Sequence, residues 1–337
     1  PACTGYEEEP AMRMISRRIA FYVITAIVAI TVNFFIPRLM PGNPALAVLG
    51  RAQARETPQA IAALELQYGV QTKTGLWGQY IQYWDHLLHG NLGTSLSAYP
   101  ASVGGLIRAA LPWTIGLVGI ATVISFVLGT LLGVAAAWRR GSWLDGLLPA
   151  MTFFQAAPYF FVAILAVALF ATKLGWFPPN SGYDATTLNP GLDWPFISNM
   201  IDHAVLPAVT IVLASIAGWI IGMRNMMITT MDEDYVLLAQ AKGLPSHRVI
   251  SYAARNALLP SVAGFSLAIG FIVSGALLTE IVFSYPGVGY LLFTAIGSDD
   301  YPLLQGIFLI ITLAVLLANL AADFVYAFLD PRTRQEA

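Results

Sequence analysis

Few side chains in this sequence are of the types that carry out chemistry. The four histidines are His86, His89, His203 and His247. His86 and His89 are three residues apart on a predicted helix and share one face, but a third ligand for zinc is not evident. No HExxH or GxSxG motif occurs, and none of the three lysines stands in GxxxxGK[ST]. The sequence therefore predicts no metal site, no catalytic residue and no cofactor bound by this chain. It also predicts that the chain does not bind ATP through a P-loop.

The composition indicates an integral membrane protein. Of the 337 residues, 57% are hydrophobic and only 11% are charged, whereas soluble domains carry roughly 25% charged residues. The one cysteine, Cys3, excludes a disulfide framework and a cysteine-based zinc site.

Six apolar stretches are long enough to cross a bilayer, which takes roughly 20 residues of helix. They are residues 17–37, 113–137, 147–171, 204–223, 260–283 and 304–328. We therefore expect an all-α fold with six transmembrane helices. Residues 1–16 are predicted to be a cytosolic leader outside the fold, either disordered or foreign to the natural protein.

The basic residues predict the orientation. Eleven of the 17 fall on the termini and on the loops that follow spans 2 and 4. They are Arg13, Arg17, Arg18, Arg139, Arg140, Arg224, Lys242, Arg248, Arg255, Arg332 and Arg334. Because cytoplasmic loops are enriched in Lys and Arg, both termini and residues 224–259 and 329–337 are predicted to be cytosolic. Residues 38–112, 172–203 and 284–303 are then extracytoplasmic.

The loop of residues 38–112 is too long for a simple connection and is predicted to carry structure of its own. One helix is expected from Thr57 to Gly69 and a second from about Gly78 to His89. The second places Tyr80, Trp84 and Leu87 on one face, which could lie against the membrane or against the spans.

A polar stretch at residues 232–260, here called the elbow, interrupts the apolar spans. Good helix formers predict a helix over residues 234–242 with Asp232 as its N-cap. Gly243 is the natural residue to end it, and a second helix is expected from Ser246 to about Leu259.

The sequence of the elbow is compatible with more than one role. The spacing puts Val249, Tyr252, Ala253 and Asn256 on one face of the second helix. An elbow fixed to membrane helices at both ends is well placed to receive a push from a cytosolic partner, and an ordinary cytoplasmic loop is the equally weighted alternative. A DNA-binding helix-turn-helix is disfavoured, because acidic residues balance the basic ones.

Polar and small residues within the spans have two possible roles. Ser266, Gly270 and Ser274 recur every fourth residue and, with Gln155, could line a path for a solute. For Ser266, Gly270 and Ser274 the favoured alternative is packing, because membrane helices contact one another through small residues. Gly129 and Gly133 form a GxxxG ridge, for which packing is the favoured role.

Several segments resemble the membrane subunits of ATP-binding cassette importers. Ala239-x-Ala241-Lys242-Gly243-Leu244, followed by RNALLP from Arg255, is similar to the EAA loop of the oligopeptide and dipeptide permeases. EIVFSYPGVG from Glu280 also matches that family. The chain departs from it where Leu238 or Ala239 replaces the usual Glu, and where Asn91 replaces an Asp. The resemblance runs from about Arg18 to Arg332.

The resemblance implies a type I importer permease fold and a pore-forming, non-enzymatic subunit for di- or oligopeptides. It implies these partners: a second homologous permease chain, two ATPases that bind ATP and Mg, and an extracytoplasmic substrate-binding protein. The predicted ATPase-coupling residues are Asp234, Tyr235, Ala239, Ala241, Lys242, Gly243, Leu244, Arg248, Arg255 and Asn256. The location would be a bacterial or archaeal cell membrane. Nickel chelates or oligosaccharides are alternative cargoes, and an ATP-independent secondary transporter is the alternative of another class.

Overall fold

The computed structural model describes residues 8–39, 75–139, 158–270 and 276–329, with residues 141, 143–146, 150, 152 and 272. Regular structure in these residues is helical, apart from an isolated bridge between Thr94 and Ser102. The helices are α1 (Glu8–Leu39), α2 (Leu76–Leu88), α3 (Val103–Trp138), α4 (Trp143–Gly146), α5 (Tyr159–Ala166), α6 (Trp194–Met231), α7 (Asp234–Ala241), α8 (Ser246–Gly270), α9 (Leu277–Val282), α10 (Val288–Gly297) and α11 (Tyr301–Leu329). A π-helix, Val167–Lys173, continues α5. The prediction of an all-α fold is confirmed for the described residues.

Four helical segments within the described residues are long and apolar enough to cross a membrane. They are Ser16–Ile36, Val103–Trp138, Trp194–Met231 and Tyr301–Phe324. Each contains or closely matches a predicted span. The two remaining predicted spans, 147–171 and 260–283, fall partly outside the described residues, as does the predicted helix from Thr57 to Gly69.

Two of these helices are longer than the predicted spans. α3 has 36 residues and begins at Val103, and α6 has 38 residues and reaches Met231. At 1.5 Å per residue they are roughly 54 and 57 Å long, well beyond the roughly 30 Å hydrocarbon core. A helix satisfies its own backbone hydrogen bonds in water as well as in lipid, so the edge of the bilayer does not end it. The intervening loops are correspondingly shorter than expected.

Three predicted boundaries are corrected by the helix ends. α1 begins at Glu8, so residues 8–16 are helical although they were expected to lie outside the fold. Pro158 is extended (φ −59°, ψ 135°) and immediately precedes α5, so it does not lie within a helix as expected. α8 runs through Pro260 to Gly270 and does not end near Leu259. Pro260 has no N–H, so α8 lacks one helical hydrogen bond at this point. A membrane helix tolerates this loss when neighbouring helices pack against it.

The residues divide into two compact units. The first comprises Pro1–Trp113 and Pro286–Leu316, and the second comprises Thr114–Tyr285 and Leu317–Ala337.

In the first unit, α2 packs against the end of α1. The Tyr80 hydroxyl and the Thr31 hydroxyl are 2.8 Å apart. The Phe34 ring centroid lies 5.2 Å from that of Tyr80 and 5.5 Å from that of Tyr83. Thus the second predicted helix of the long loop is confirmed, and one of its sides lies against a membrane span.

A buried carboxylate organises the segment that follows α2. Asp300 is fully buried, and its Oδ2 accepts hydrogen bonds from the Ser95 hydroxyl at 2.5 Å, the Ser97 hydroxyl at 2.7 Å and the Ser97 backbone N–H at 2.9 Å. Its Oδ1 accepts from the Leu303 N–H at 3.2 Å. Hydrogen bonds to a carboxylate are among the stronger ones, so Asp300 fixes residues 95–97 to the start of α11.

In the second unit, the GxxxG ridge of α3 packs directly on α6. A Cβ atom at Gly129 would lie 2.5 Å from Trp219 Cβ. One at Gly133 would lie 2.7 Å from the Ile220 carbonyl oxygen and 2.8 Å from Met223 Cβ. Only glycine permits this approach, so the ridge has the packing role that the sequence favoured.

Candidate functional site

The first helix of the elbow ends as predicted at Gly243. α7 covers Asp234–Ala241, and Gly243 has a φ of +72°, a conformation that glycine adopts without steric cost. The Gly243 N–H donates to the Gln240 carbonyl at 2.9 Å, and the Leu244 N–H donates to the Ala239 carbonyl at 3.2 Å. These two bonds form a Schellman motif, which satisfies carbonyls that the end of a helix leaves free.

The predicted N-cap of α7 is wrong. Asp232 follows α6 as its C-cap, and Glu233 occupies the N-cap position of α7 without a capping hydrogen bond from its side chain. α6 extends to Met231, so only Asp232 and Glu233 separate α6 from α7, and Asp232 ends the longer helix instead of starting the shorter one. The elbow is therefore joined almost directly to a membrane-spanning helix.

A buried apolar cluster fixes the elbow to the ends of α3 and α6. Its fully buried members are Ala137 of α3, Met223 and Met227 of α6, Val236 and Ala239 of α7, and Val249, Ala253 and Ala257 of α8. Leu244 packs against the same cluster. Because close-packed interiors transmit displacement, a force on α7 or on the start of α8 acts directly on both long helices.

On its other side the elbow forms an open groove of about 450 Å³, here called the elbow groove. Its lining residues are Tyr235, Leu238, Ala239, Lys242, Leu244, Tyr252, Arg255 and Asn256. Asn256 Nδ2 donates to the Tyr235 hydroxyl at 2.7 Å and so joins α7 to α8 across the groove.

The elbow groove combines exposed apolar side chains with two basic groups. Tyr235, Leu238 and Tyr252 are 40%, 55% and 48% exposed, and Lys242 and Arg255 are exposed beside them. Aromatic residues and Arg are the types enriched in protein interfaces. The groove can therefore receive an apolar side chain of a protein partner together with a neighbouring carboxylate.

Six of the ten predicted coupling residues line the elbow groove. They are Tyr235, Ala239, Lys242, Leu244, Arg255 and Asn256. The lining does not include Asp234, Ala241, Gly243 or Arg248, which lie elsewhere on the elbow. The coupling role of all ten remains a prediction.

Two residues of the groove, Leu238 and Tyr252, were absent from the predicted coupling set. The predicted common face of Val249, Tyr252, Ala253 and Asn256 divides into two. Val249 and Ala253 are buried in the cluster, whereas Tyr252 and Asn256 are exposed in the groove. Large apolar side chains in a polar stretch were the available signal for both Leu238 and Tyr252.

The predicted path residues are placed only in part. Gly270 is buried against α11, where a Cβ atom would lie 2.5 Å from Ala318 Cβ, so this glycine has a packing role. The Ser266 hydroxyl donates to the Val262 carbonyl of its own helix at 3.1 Å. Gln155 and Ser274 lie outside the described residues. The assignment of these four residues to a path is still a prediction.

A buried carboxyl group within α9 lies near a buried phenol that follows this helix. Glu280 is only 1% exposed and Tyr285 only 3% exposed. Burial, and then the nearby Glu280 charge, raise the pKa of the Tyr285 phenol from 10.0 to about 12. Tyr285 therefore remains a neutral hydrogen-bonding group throughout the physiological pH range.

Metal chemistry finds no support in the described residues, where no group of three or more His, Cys, Asp or Glu side chains could hold an ion. His89 Nδ1 lies 3.5 Å from Asp85 Oδ1 on the exposed side of α2.

The family match and the similar proteins all describe membrane components of transport systems. Residues 129–335 match the family described as "Binding-protein-dependent transport system inner membrane component". The chain is 33% identical to the di/tripeptide transport system permease protein of Pseudomonas aeruginosa, over 96% of this chain and 99% of the relative. It is 34% identical to the dipeptide transport system permease protein of Alkalihalophilus pseudofirmus, over 94% and 98%. A putative peptide permease protein of Brucella suis is 32% identical over 91% and 95%.

Proposed function

The chain belongs to the family of binding-protein-dependent transport system inner membrane components, and from this membership we propose that it is the permease subunit of an ATP-driven peptide importer. The relatives named above are di- or tripeptide and peptide permeases, aligned over almost their whole length. Those names favour peptides over nickel chelates or oligosaccharides as cargo. They also favour a subunit of a multi-component system over a secondary transporter.

The proposed permease crosses the membrane six times, with both termini in the cytosol. A contact within the first unit supports an even number of crossings, because Asn33 Nδ2 donates to the Gln305 carbonyl at 2.9 Å. Asn33 is near the end of the first apolar segment and Gln305 is near the start of the last. These two ends must lie at one surface, so the intervening chain crosses an even number of times. α3 and α6 supply two crossings, and the predicted spans 147–171 and 260–283 supply the other two.

The elbow is proposed to be the site where a cytosolic ATPase acts on the permease. The observation that carries this proposal is that the elbow has both a packed surface and an open one. One surface is packed on the ends of α3 and α6, and the other is the open elbow groove. Closure of the ATPases on ATP would move the elbow and, through the buried cluster, tilt the long helices. The cavity would then change between outward and inward access.

Partners follow from this assignment. ATP and Mg would be bound by two ATPase subunits, since the sequence has no P-loop. A second homologous permease chain would complete the pore, and an extracytoplasmic binding protein would deliver the peptide.

Site-directed crosslinking tests the ATPase contact. Because Cys3 is the one cysteine, a Cys3→Ser background permits single thiols to be introduced. Leu238→Cys and Tyr252→Cys place a thiol in the elbow groove, whereas Leu237→Cys places one on another side of α7, where Leu237 is 49% exposed. In membranes containing the complete system, the first two should crosslink to the ATPase more strongly than the control. Equal or absent crosslinking would remove the groove from the interface.

Reconstitution tests the function itself. Proteoliposomes containing the permease pair, the ATPases and the binding protein should accumulate a peptide only when ATP is present. Uptake by the isolated chain without ATPases would refute the proposal.

A further inference from the structure

α2 has one side fixed to the protein and another side that nothing in the described chain covers. The fixed side carries Tyr80 and Tyr83, which pack on Phe34. Asn33 Nδ2 adds a 3.4 Å hydrogen bond to the Tyr83 hydroxyl. These contacts define the rotation of α2 about its own axis.

The other side of α2 is strongly apolar and exposed. Trp77, Ile81 and Leu88 are 73%, 53% and 79% exposed. At 100° per residue these three positions fall within roughly 40° of the helix circumference. Gln82 and His86 lie on the opposite side. A contiguous exposed apolar face of this kind marks an interaction surface.

The contacts of α2 determine its depth. The apolar run of α1 ends at Pro37, before Arg38, and the contact residue Thr31 is six positions before Pro37. At 1.5 Å per residue, α2 packs within about 9 Å of the end of the span. Headgroup and interfacial layers are roughly 5 to 8 Å thick on each side of the hydrocarbon core. α2 is therefore held at the level where hydrocarbon meets headgroups.

The surface next to α2 on α1 is apolar as well. Val28, Val32, Phe35 and Ile36 are 56%, 53%, 41% and 39% exposed, and they adjoin the Thr31 face on the helix circumference. On a membrane-spanning helix such a stripe faces lipid.

We propose that the free face of α2 lies in the lipid bilayer interface, so that α2 is an interfacial helix anchored by Trp77, Ile81 and Leu88. Tryptophan suits this layer, because its ring is apolar and its N–H can reach water. α2 has no Lys or Arg, so apolar burial supplies the binding and headgroup charge does not. The helix fixes the height of the segment that follows it, including Ser95 and Ser97 on Asp300. This inference rests on α1 spanning the membrane and is independent of the transported substrate.

Spin-label accessibility tests the assignment in the complete transport complex. Single labels in the Cys3→Ser background at positions 77, 81 and 88 are compared with labels at 82 and 86, which are exposed on the polar side. Collision rates with oxygen, which concentrates in lipid, and with a water-soluble nickel chelate are measured in phosphatidylcholine nanodiscs and in nanodiscs that also contain phosphatidylglycerol.

Labels at 77, 81 and 88 should favour oxygen over the chelate, and those at 82 and 86 should show the reverse. The pattern should be the same with and without anionic lipid. Chelate access at 77, 81 and 88 would overturn the proposal by placing the face in water. Protection from both reagents would overturn it in favour of a covering protein, either a partner subunit or a second copy. Dependence on anionic lipid would overturn the apolar mode of binding.

Discussion

Replacing Gly243 tests whether the shape of the elbow is needed to couple ATP hydrolysis to uptake. Gly243 has a φ of +72°, and a Cβ atom added there would meet nothing within 4 Å. The substitution therefore introduces no clash, and its cost comes from the backbone alone. For Ala the left-handed conformation costs about 1 to 2 kcal/mol. For a β-branched Val the cost is higher still, whereas Asn tolerates this region with a smaller penalty.

That cost has a defined structural consequence. If residue 243 leaves the left-handed region, the hydrogen bonds from residue 243 to Gln240 and from Leu244 to Ala239 are lost together. Leu244 is then no longer directed into the buried cluster. A penalty of about 1.4 kcal/mol changes the ratio of formed to opened elbow tenfold. Coupling should therefore fall in the order Gly, Asn, Ala, Val.

The assay is the number of peptides imported per ATP hydrolysed by the reconstituted complex. Gly243→Val should hydrolyse ATP yet import much less peptide, while the permease still inserts and assembles. Gly222→Ala is the matched control for stability, because Gly222 is exposed within α6 and has no atom within 4 Å of an added Cβ. Ala should stabilise that helix by up to about 1 kcal/mol. Wild-type coupling in Gly243→Val would refute the role of the elbow.

Three further predictions concern packing and charge. Gly133→Ala should destabilise the permease by about 1 to 3 kcal/mol through overpacking and lower its melting temperature, whereas Gly119→Ala on the same helix, where the nearest atom is 3.9 Å away, should not. Asp300→Asn should weaken the hydrogen bonds from Ser95 and Ser97 by about 1 to 3 kcal/mol and speed hydrogen exchange over residues 94–98. Asp85→Asn, at an exposed site, should leave that exchange unchanged. In an alkaline titration, Tyr285→Phe should remove a phenolate step near pH 12; because the folded pKa exceeds the unfolded value of 10.0, this tyrosine should reduce stability as pH rises from 10 to 12.

Local chemistry was enough to predict several elements of the fold. Gly243 predicted the end of α7 because few other residues adopt a positive φ readily. The apolar and aromatic pattern of residues 78–89 predicted α2, since a helix with one apolar face is stable against a neighbour. At Gly243 the deciding interaction lies within a few residues of the signal, and in α2 the local pattern identifies the face that packs on a distant helix.

Helix continuity was harder to predict, because distant packing decides it. Pro260 resembles a helix boundary, yet α8 passes through it while its first half is held by the cluster on α3 and α6. The buried and exposed sides of α8 also depend on which helices lie beside it, so Tyr252 could not be distinguished from Ala253 by spacing alone. The elbow groove exists only because α7 and α8 fold against each other.

The contact of Gly129 and Gly133 with α6 limits the ways in which the second unit can change shape. Backbones that meet without intervening side chains cannot slide past each other without collision. We therefore expect residues 114–138 of α3 to travel with α6 as one rigid body throughout a transport cycle. Distances between spectroscopic labels on these two helices should stay constant when nucleotide is added.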